Sequence, residues 1–448
     1  MSSYSKYKNS GVELIGDIPY HWSIKKISHA FNIIGSGTTP PSGNQEYYEN
    51  GIYPWLQTGD LNDGHIDSTS KKITEKAIKE FSTLRFYPEG SLVIAMYGAT
   101  IGKTAILNFK TTTNQACCVL ADGVHFYPEF AFYWFQANKS NVINLASGGG
   151  QPNISQEVVR TLKLPCPPLN EQLQIINFLK KKTEEIDLLV TNKLNLISLL
   201  QEERTALINH SITKGIDQNF KMKNSGVEGI GEVPQHWSLV RLKYLSLIKY
   251  GLGQPPRQKS DGLPIIRATN VKRGKISDID LIFVDPDDVP YDRDPVLRTD
   301  DIVVVRSGAY TADSAIVPEK YDGAITGYDL VLRCINADAK FIAYSLLAEY
   351  VLVNQLIPLS LRAAQPHLNR EELGETCIVL PGIEEQHRIV EFLNSKLNKL
   401  DQSIAKIKIE IGLLKEYRTS LINEVVTGKL TVPMSESKNL NTNQLEKI

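Results

Sequence analysis

The sequence predicts an α+β chain: two mixed α/β domains related by pseudo-twofold symmetry and joined by two long antiparallel helices that form an intramolecular coiled coil. Three observations predict it. Residues 6–23 read KYKNSGVELIGDIPYHWS and residues 221–238 read KMKNSGVEGIGEVPQHWS, so Trp22 returns as Trp237 at an offset of 215. Two stretches, 170–214 and 384–428, carry apolar residues at a seven-residue period, the first without any proline or glycine. Short β-branched runs bounded by Gly, Pro and Asn occupy the ground between them.

The totals bound the answer. A chain of 448 residues holds two or three domains with cores of their own. An apolar fraction of 42% and a charged fraction of 22% are ordinary for a globular protein. No apolar run approaches a membrane span, and MSSYSKYKNS lacks the apolar stretch of a signal peptide, so a cytoplasmic protein without membrane contact is expected. Five cysteines (Cys117, Cys118, Cys166, Cys334 and Cys377) make an odd count without C-x-x-C spacing, and read as reduced, mostly buried small side chains. A net charge of −1 leaves any affinity for nucleic acid to local patches or to a basic partner.

Taken in order, a lead-in segment (1–23) opens the first repeat, and the first globular domain (24–169) follows. The strand LVIAMY (92–97) and the strand CCVLA (117–121) lie in it. The first long helix (170–214) starts after Pro167-Pro168, with Asn170 as N-cap and Glu171 suited to the positive end of the helix dipole; Lys214-Gly215 stops it. A second lead-in segment (215–238), a second domain (239–383) with strands DIVVVR and DLVLRC, a second long helix (384–428) and a polar tail (429–448) complete the chain.

The apolar seams define the pairing. In the second helix Leu393, Leu400, Ile407, Leu414 and Leu421 fall on one line, with Leu397, Ile404 and Ile411 four residues after the first three. In the first, Leu179, Ile186, Leu200 and Leu207 share a line that Lys193 interrupts, with Val190 and Ile197 beside it. A helix of about 40 residues is roughly 60 Å long, more than one adjacent globule covers, so the helices are expected to bury each other's stripe. Gly412 and Lys193 weaken the seam locally.

Landmarks recur in the loops although the globules otherwise differ. Gly37-Thr38-Thr39-Pro40-Pro41 matches Gly253-Gln254-Pro255-Pro256, Gly98-Ala99 matches Gly308-Ala309, and Gln151-Pro152-Asn153-Ile154 matches Gln365-Pro366-His367-Leu368. The stretch Gly98 to Thr104 imitates a phosphate-binding loop but has three residues between its glycines where four are needed, and the second copy lacks the lysine, so it reads as a strand-to-loop turn. No Asn-Pro-Pro-Tyr or Asp-Pro-Pro-Tyr occurs, the eight histidines show no ligand spacing, and His21 and His236 recur at scaffold positions. No catalytic, cofactor-binding or metal-binding residues are assigned.

What the loops do carry is chemistry suited to a DNA duplex. In the second domain Arg267, Thr269, Asn270, Lys272, Arg273 and Lys275 cluster, Arg306 and Tyr310 flank Gly308, and Gln365 and His367 follow. In the first, Gln57, Thr58, Tyr97, Thr100, Lys103, Thr113, Asn114, Gln115, Gln151 and Asn153 stand in loops at matching places. Arginine reads guanine and Asn or Gln reads adenine, whereas lysine more often holds phosphate. Two copies of one unit suit two half-sites on a duplex. Tandem globules on a coiled coil that bind other proteins, without DNA, are the alternative reading of the repeat.

The chain resembles the specificity subunits of type I restriction-modification systems. The resemblance rests on Gly16-Asp17-Ile18-Pro19-Tyr20-His21-Trp22 and its copy Gly231 to Trp237, on the Gln-Pro-Asn/His-Ile/Leu element, and on Pro-Pro-Leu-Asn-Glu-Gln (167–172) with Pro-Gly-Ile-Glu-Glu-Gln (381–386). It covers nearly the whole chain in duplicate. It implies two target-recognition domains that each read one half of a bipartite, asymmetric DNA sequence, with the helix pair setting the spacer. It also implies a chain without catalysis or cofactor of its own. Two methyltransferase subunits using S-adenosylmethionine and two restriction subunits using ATP and Mg would assemble on it.

Overall fold

The computed structural model describes residues 3–13, 15–146, 153–217, 219–227, 229–361 and 366–433. The chain divides into two compact units, Met1–Lys193 with the C-terminal stretch from Ile409, and Leu194–Lys408. Both long helices therefore contribute to both units. The first runs unbroken from Leu169 to Lys214 and the second from Ile383 to Val426, Gly412 included.

The first unit is built on a five-stranded sheet and a three-stranded sheet. Its strands are β1 (Phe31–Gly35), β2 (Tyr53–Leu56), β3 (Gly64–Ile66), β4 (Lys71–Ile73), β5 (Leu92–Ala95), β6 (Thr104–Leu107), β7 (Thr112–Thr113) and β8 (Cys117–Gly123). The larger sheet has the order β1-β8-β5-β6-β3, and the smaller β7-β2-β4. Alternation explains why β5 and β8 are apolar at nearly every position. Leu92, Ile94, Cys118 and Leu120 face a core shared with the helices, while Val93, Ala95, Cys117 and Val119 face a second apolar layer. A strand covered on both faces has no polar side to show. Burial pushes the Cys118 thiol up to about 12, so it is an inert thiol at neutral pH.

The second unit repeats the plan with β9 (Ser246–Tyr250), β10 (Gln258–Ile266), β11 (Ile282–Val284), β12 (Ile302–Val304), β13 (Ser314–Ile316), β14 (Ile325–Thr326) and β15 (Leu330–Cys334). The sheets are β9-β15-β12-β13 and β11-β10-β14. The same alternation holds: Ile302, Val304, Leu330 and Leu332 face the helix side, and Val303 and Val331 the other.

In each unit the lead-in segment is tied to the last strand before the long helix. Ser23–Lys26 pairs with Lys163–Cys166, and Ser238–Arg241 with Cys377–Leu380, both antiparallel. The repeated tryptophans are the anchors. Trp22 and Trp237 are 0% and 1% exposed, and burial of a side chain this size stabilises by roughly 3 kcal/mol. His21 Nε2 lies 2.9 Å from Glu171 Oε2 and His236 Nε2 2.9 Å from Glu385 Oε2, so the repeated His-Trp pair holds the first turn of each long helix. Trp237 adds a hydrogen bond from Nε1 to Glu385 at 3.1 Å.

The helices pair within each unit. In the first, Leu421, Ile422, Val425 and Val426 join Ile175, Leu179 and Ile186 in one core; in the second, Ile208 and Ile212 join Ile389, Val390, Leu393 and Leu397. Polar contacts fix the direction: Asp187 meets Arg418 and Lys193 meets Glu410 in the first unit, and Arg204 meets Asp401 in the second. Partner numbers fall as the first helix's numbers rise, which makes the pair antiparallel. All of the predicted seam residues are buried or half-buried: Leu179, Ile186, Val190, Ile197, Leu200 and Leu207 on one helix, and Leu393, Leu397, Leu400, Ile404, Ile407, Ile411, Leu414 and Leu421 on the other. Lys193, which interrupts the line, is half-buried with its charge on Glu410.

Candidate nucleic-acid interface

Part of the candidate set gathers where a central strand of each larger sheet ends. In the second unit the chain leaves β12 through Arg306 and turns at Gly308 with φ 91°; in the first it leaves β5 through Met96 and turns at Gly98 with φ 68°. Only glycine takes this backbone conformation without strain. The segment from Asn153 in the first unit and from Pro366 in the second closes on the turn. Ser307 forms an isolated bridge with His367, and Tyr97 with Asn153. Leu368 N–H donates to the Arg306 carbonyl at 2.8 Å, and Ile154 N–H to the Met96 carbonyl at 2.9 Å. Gln151 and Gln365 lie outside the described residues.

Arg306 is held as a rigid guanidinium. Its carbon sits 4.5 Å from the Tyr250 ring centre and 4.4 Å from that of Tyr328, and Nη2 lies 3.1 Å from His367 Nε2. Each cation–π contact contributes about 0.5–2 kcal/mol and, more to the point, removes rotamer freedom before any ligand arrives. Nearby, Lys272 Nζ lies 4.4 Å over the ring of Tyr310, which is exposed. Asp329 precedes β15 and its Oδ1 accepts the Arg306 backbone N–H at 3.2 Å. The carboxyl is 2% exposed, and burial pushes its pKa up to about 6 against the opposing pull of Arg306 and the Ala268 backbone N–H.

The remaining candidates of the second unit separate by surroundings. Arg267 is half-buried, with Nη2 donating to the Asp280 carbonyl at 2.7 Å. Asn270 is fully buried, and its amide serves the carbonyls of Ser277 and Ile279, closing its own loop. Thr269 is exposed. Arg273 pairs with Asp313 at 2.9 Å and Lys275 with Asp401 of the second long helix at 2.6 Å. The structure therefore brings Arg306, His367, Lys272 and Tyr310 to the strand end and places Arg273 and Lys275 on carboxylates.

In the first unit Tyr97 and Gln115 are exposed, and Asn114, Thr100, Lys103 and Asn153 are half-buried. Gln115 Oε1 accepts the Thr39 hydroxyl at 2.6 Å. Thr113 is buried and its Oγ1 accepts the Gly37 N–H at 2.9 Å. Gln57 and Thr58 open a short turn, and Gln57 lines a cavity of about 420 Å³ with Thr39, Ser42, Gln45, Lys71 and Lys72.

Comparison with known proteins decides the family. The model of the type I restriction modification DNA specificity domain matches residues 19–199 and again 237–413. The chain belongs to this family. Over 437 residues it is 26% identical to the type I restriction enzyme MjaVIII specificity subunit of Methanocaldococcus jannaschii, covering 95% of each chain. It is 20% identical over 439 residues to the EcoKI specificity subunit of Escherichia coli, covering 93% of this chain and 90% of that one. A chain from a type I R-M system solved for its complex assembly and conformational transition aligns with a TM-score of 0.71 at 16% identity, covering 92% of this chain and 99% of its own. These findings make the chain a specificity subunit and disfavour the reading of a protein-interaction module without DNA.

In this specificity subunit the stretch that imitates a phosphate loop does other work. The Thr104 backbone N–H donates to Asp63 Oδ1 at 3.0 Å, so a carboxylate of the chain itself already holds this donor. Sequence reading also missed residues at the second unit's strand end, namely Tyr250, Ser307, Tyr328 and Asp329. Gly327-Tyr328-Asp329 lies only between landmarks that recur, and nothing in the spacing marks Tyr250 as a partner of Arg306. No single helix among the described residues is long and apolar enough to cross a membrane.

Proposed function

We propose that each unit reads one half of a split, asymmetric DNA sequence through the loops at its strand end, and that the paired helices set the number of unread base pairs between the halves. One observation carries this reading: a shared scaffold ends in different chemistry in the two units. Where the first unit leaves its central strand through a buried methionine, Met96, the second leaves it through Arg306 between two tyrosines. A guanidinium held in this way suits the O6 and N7 edge of guanine in the major groove, whereas the first unit offers Gln115, Asn114 and Tyr97.

The chain works as the specificity part of a larger complex. Two methyltransferase subunits carrying S-adenosylmethionine, and two restriction subunits using ATP and Mg, supply the chemistry in the cytoplasm. With a chain charge of −1, much of the phosphate affinity belongs to those partners. The test is a swap. The chain is reconstituted with its methyltransferase subunits, residues 24–163 are replaced by the corresponding part of another specificity subunit, and modified positions are mapped across a genome. One half of the recognised sequence changes and the other stays. A change in both halves, or modification without sequence preference, overturns the reading.

A further inference from the structure

Beside Arg306 the second unit contains a cavity of about 280 Å³ lined by Leu252, Pro255, Arg267, Ser307, Tyr328 and Asp329. It lies under the Gly253 loop landmark and next to the bridge between Ser307 and His367. Two charged groups there are incompletely bonded. Asp329 Oδ2 and Arg267 Nε are buried and no partner meets hydrogen-bond geometry with them among the described residues, the Ala268 backbone N–H acting on the carboxylate without completing such a bond. A buried carboxylate oxygen without a donor is costly, and native proteins rarely keep one unless its partner comes from elsewhere.

The chemistry of the cavity narrows that partner. Arg267 shares the cavity and Arg306 flanks Asp329, so the local field opposes a metal cation. Asp329, Arg267 and Ser307 line the same cavity, so an acceptor (Asp329 Oδ2) shares it with donor groups, the chemistry that suits a ligand edge showing a donor next to an acceptor. In the major groove that edge belongs to adenine, with N6–H beside N7, or to a G·C pair, with cytosine N4–H beside guanine O6. The first unit lacks the group altogether. Gly98 and Gly308 each stand four residues beyond Ile94 and Val304, which pair with Cys118 and Leu330, so the place of Asp329 is taken by Cys117, fully buried in the apolar layer.

We propose that Asp329 is a specificity-determining residue whose free carboxylate oxygen accepts a hydrogen bond from the exocyclic amino group of an adenine or cytosine in the half of the target read by the second unit. The assignment rests on the reading that this unit recognises DNA. Raised basicity of the carboxylate is consistent with an acceptor waiting for a donor.

The experiment uses the full chain in complex with its methyltransferase subunits. The recognised sequence is first established for the wild type; a complex without sequence preference defeats the underlying reading and the assignment with it. Duplexes are then made in which each adenine of the second half is replaced singly by purine, and each cytosine by 2-pyrimidinone, which remove only the amino group. Binding by the wild type falls about tenfold or more at one position, and whether a purine or a pyrimidinone substitution causes it separates adenine from cytosine. The variant Asp329→Asn, which presents an amide in the same shape, loses that dependence and shifts the position toward guanine or thymine while the other half is unchanged. Indifference of the wild type to every amino deletion overturns the assignment, and so does a folded Asp329→Asn complex with the original sequence preference. The base-analogue arm uses only wild-type protein, so it decides the question even if the variant fails to fold.

Discussion

The same carboxylate makes a prediction for the free chain. An aspartate that titrates near 6 in the folded state and at its ordinary 3.8 when unfolded is better protonated in the folded protein. The folded state then binds more protons between these values, so stability falls as pH rises through that window and levels off above it. The full difference amounts to about 3 kcal/mol, from about 1.4 kcal/mol for each pH unit of separation. Asp329→Asn keeps an oxygen for the Arg306 backbone N–H and does not titrate. Urea unfolding of both proteins side by side from about pH 4 to about pH 8 therefore shows the variant gaining on the wild type by up to about 3 kcal/mol. Taking the change in their difference cancels any fixed effect of the amide. A difference that stays flat with pH refutes the claim that Oδ2 is buried without a donor. A difference of opposite slope means that the neighbouring Arg306 outweighs burial and the carboxylate is an ordinary ion pair.

Four other perturbations separate reading from scaffolding. Arg306→Ala relaxes one position of the second half-site at a loss of about 1–3 kcal/mol, whereas Lys275→Ala, whose charge already sits on Asp401, leaves the recognised sequence unchanged; modification mapping of both variants checks this. Glu385→Ala removes the acceptor of both His236 and Trp237 and lowers thermal stability by about 1–3 kcal/mol, with no change of sequence preference in the protein that remains folded. Insertion of one heptad into each long helix, between 186 and 200 and between 404 and 415, adds about 10.5 Å of helix and lengthens the unread spacer by about three base pairs. A spacer that stays at its original length removes the helices from the measuring role.

Most of the architecture was legible in the sequence because it rests on repetition and period. The lead-in segments announce themselves by near-identity, and the heptad lines of Leu393 to Leu421 mark buried positions directly. The interruption at Lys193 was legible as a weakness but not as what it is, an ion pair with Glu410, since the partner lies over two hundred residues away. The strand-end chemistry was legible only in part. Arg306 and His367 stand beside recurrent landmarks, so comparison of the copies points to them. Asn270 looks like a base reader in IIRATNVKRGKI, yet it closes its own loop through Ser277 and Ile279, because burial of an amide is decided by tertiary surroundings that spacing does not report. Asp329 is the reverse case. It reads as a strand-leading aspartate, and only the three-dimensional surroundings reveal that one of its oxygens meets no donor at hydrogen-bond geometry among the described residues.

That contrast bears on how one scaffold yields two specificities. Alternation and burial agree over most of the sheets, whereas at the strand end of the second unit Arg267 Nε, Arg306 Nε, Thr326 Oγ1 and Asp329 Oδ2 are all buried without partners among the described residues. At the corresponding places in the first unit Thr113 is satisfied by the Gly37 N–H, and Met96 and Cys117 are apolar. Buried polar atoms without partners also occur in the first unit, Trp22 Nε1, Trp134 Nε1 and Arg418 Nε among them, but not at its strand end. Hydrogen-bonding capacity left open around the strand end of the second unit is what results when it is kept for a ligand at some loss of stability. On the proposed reading, the second unit recognises its half of the target with rigid charged groups set into a cavity and the first with amide and hydroxyl side chains on its surface, over a scaffold that had no need to change.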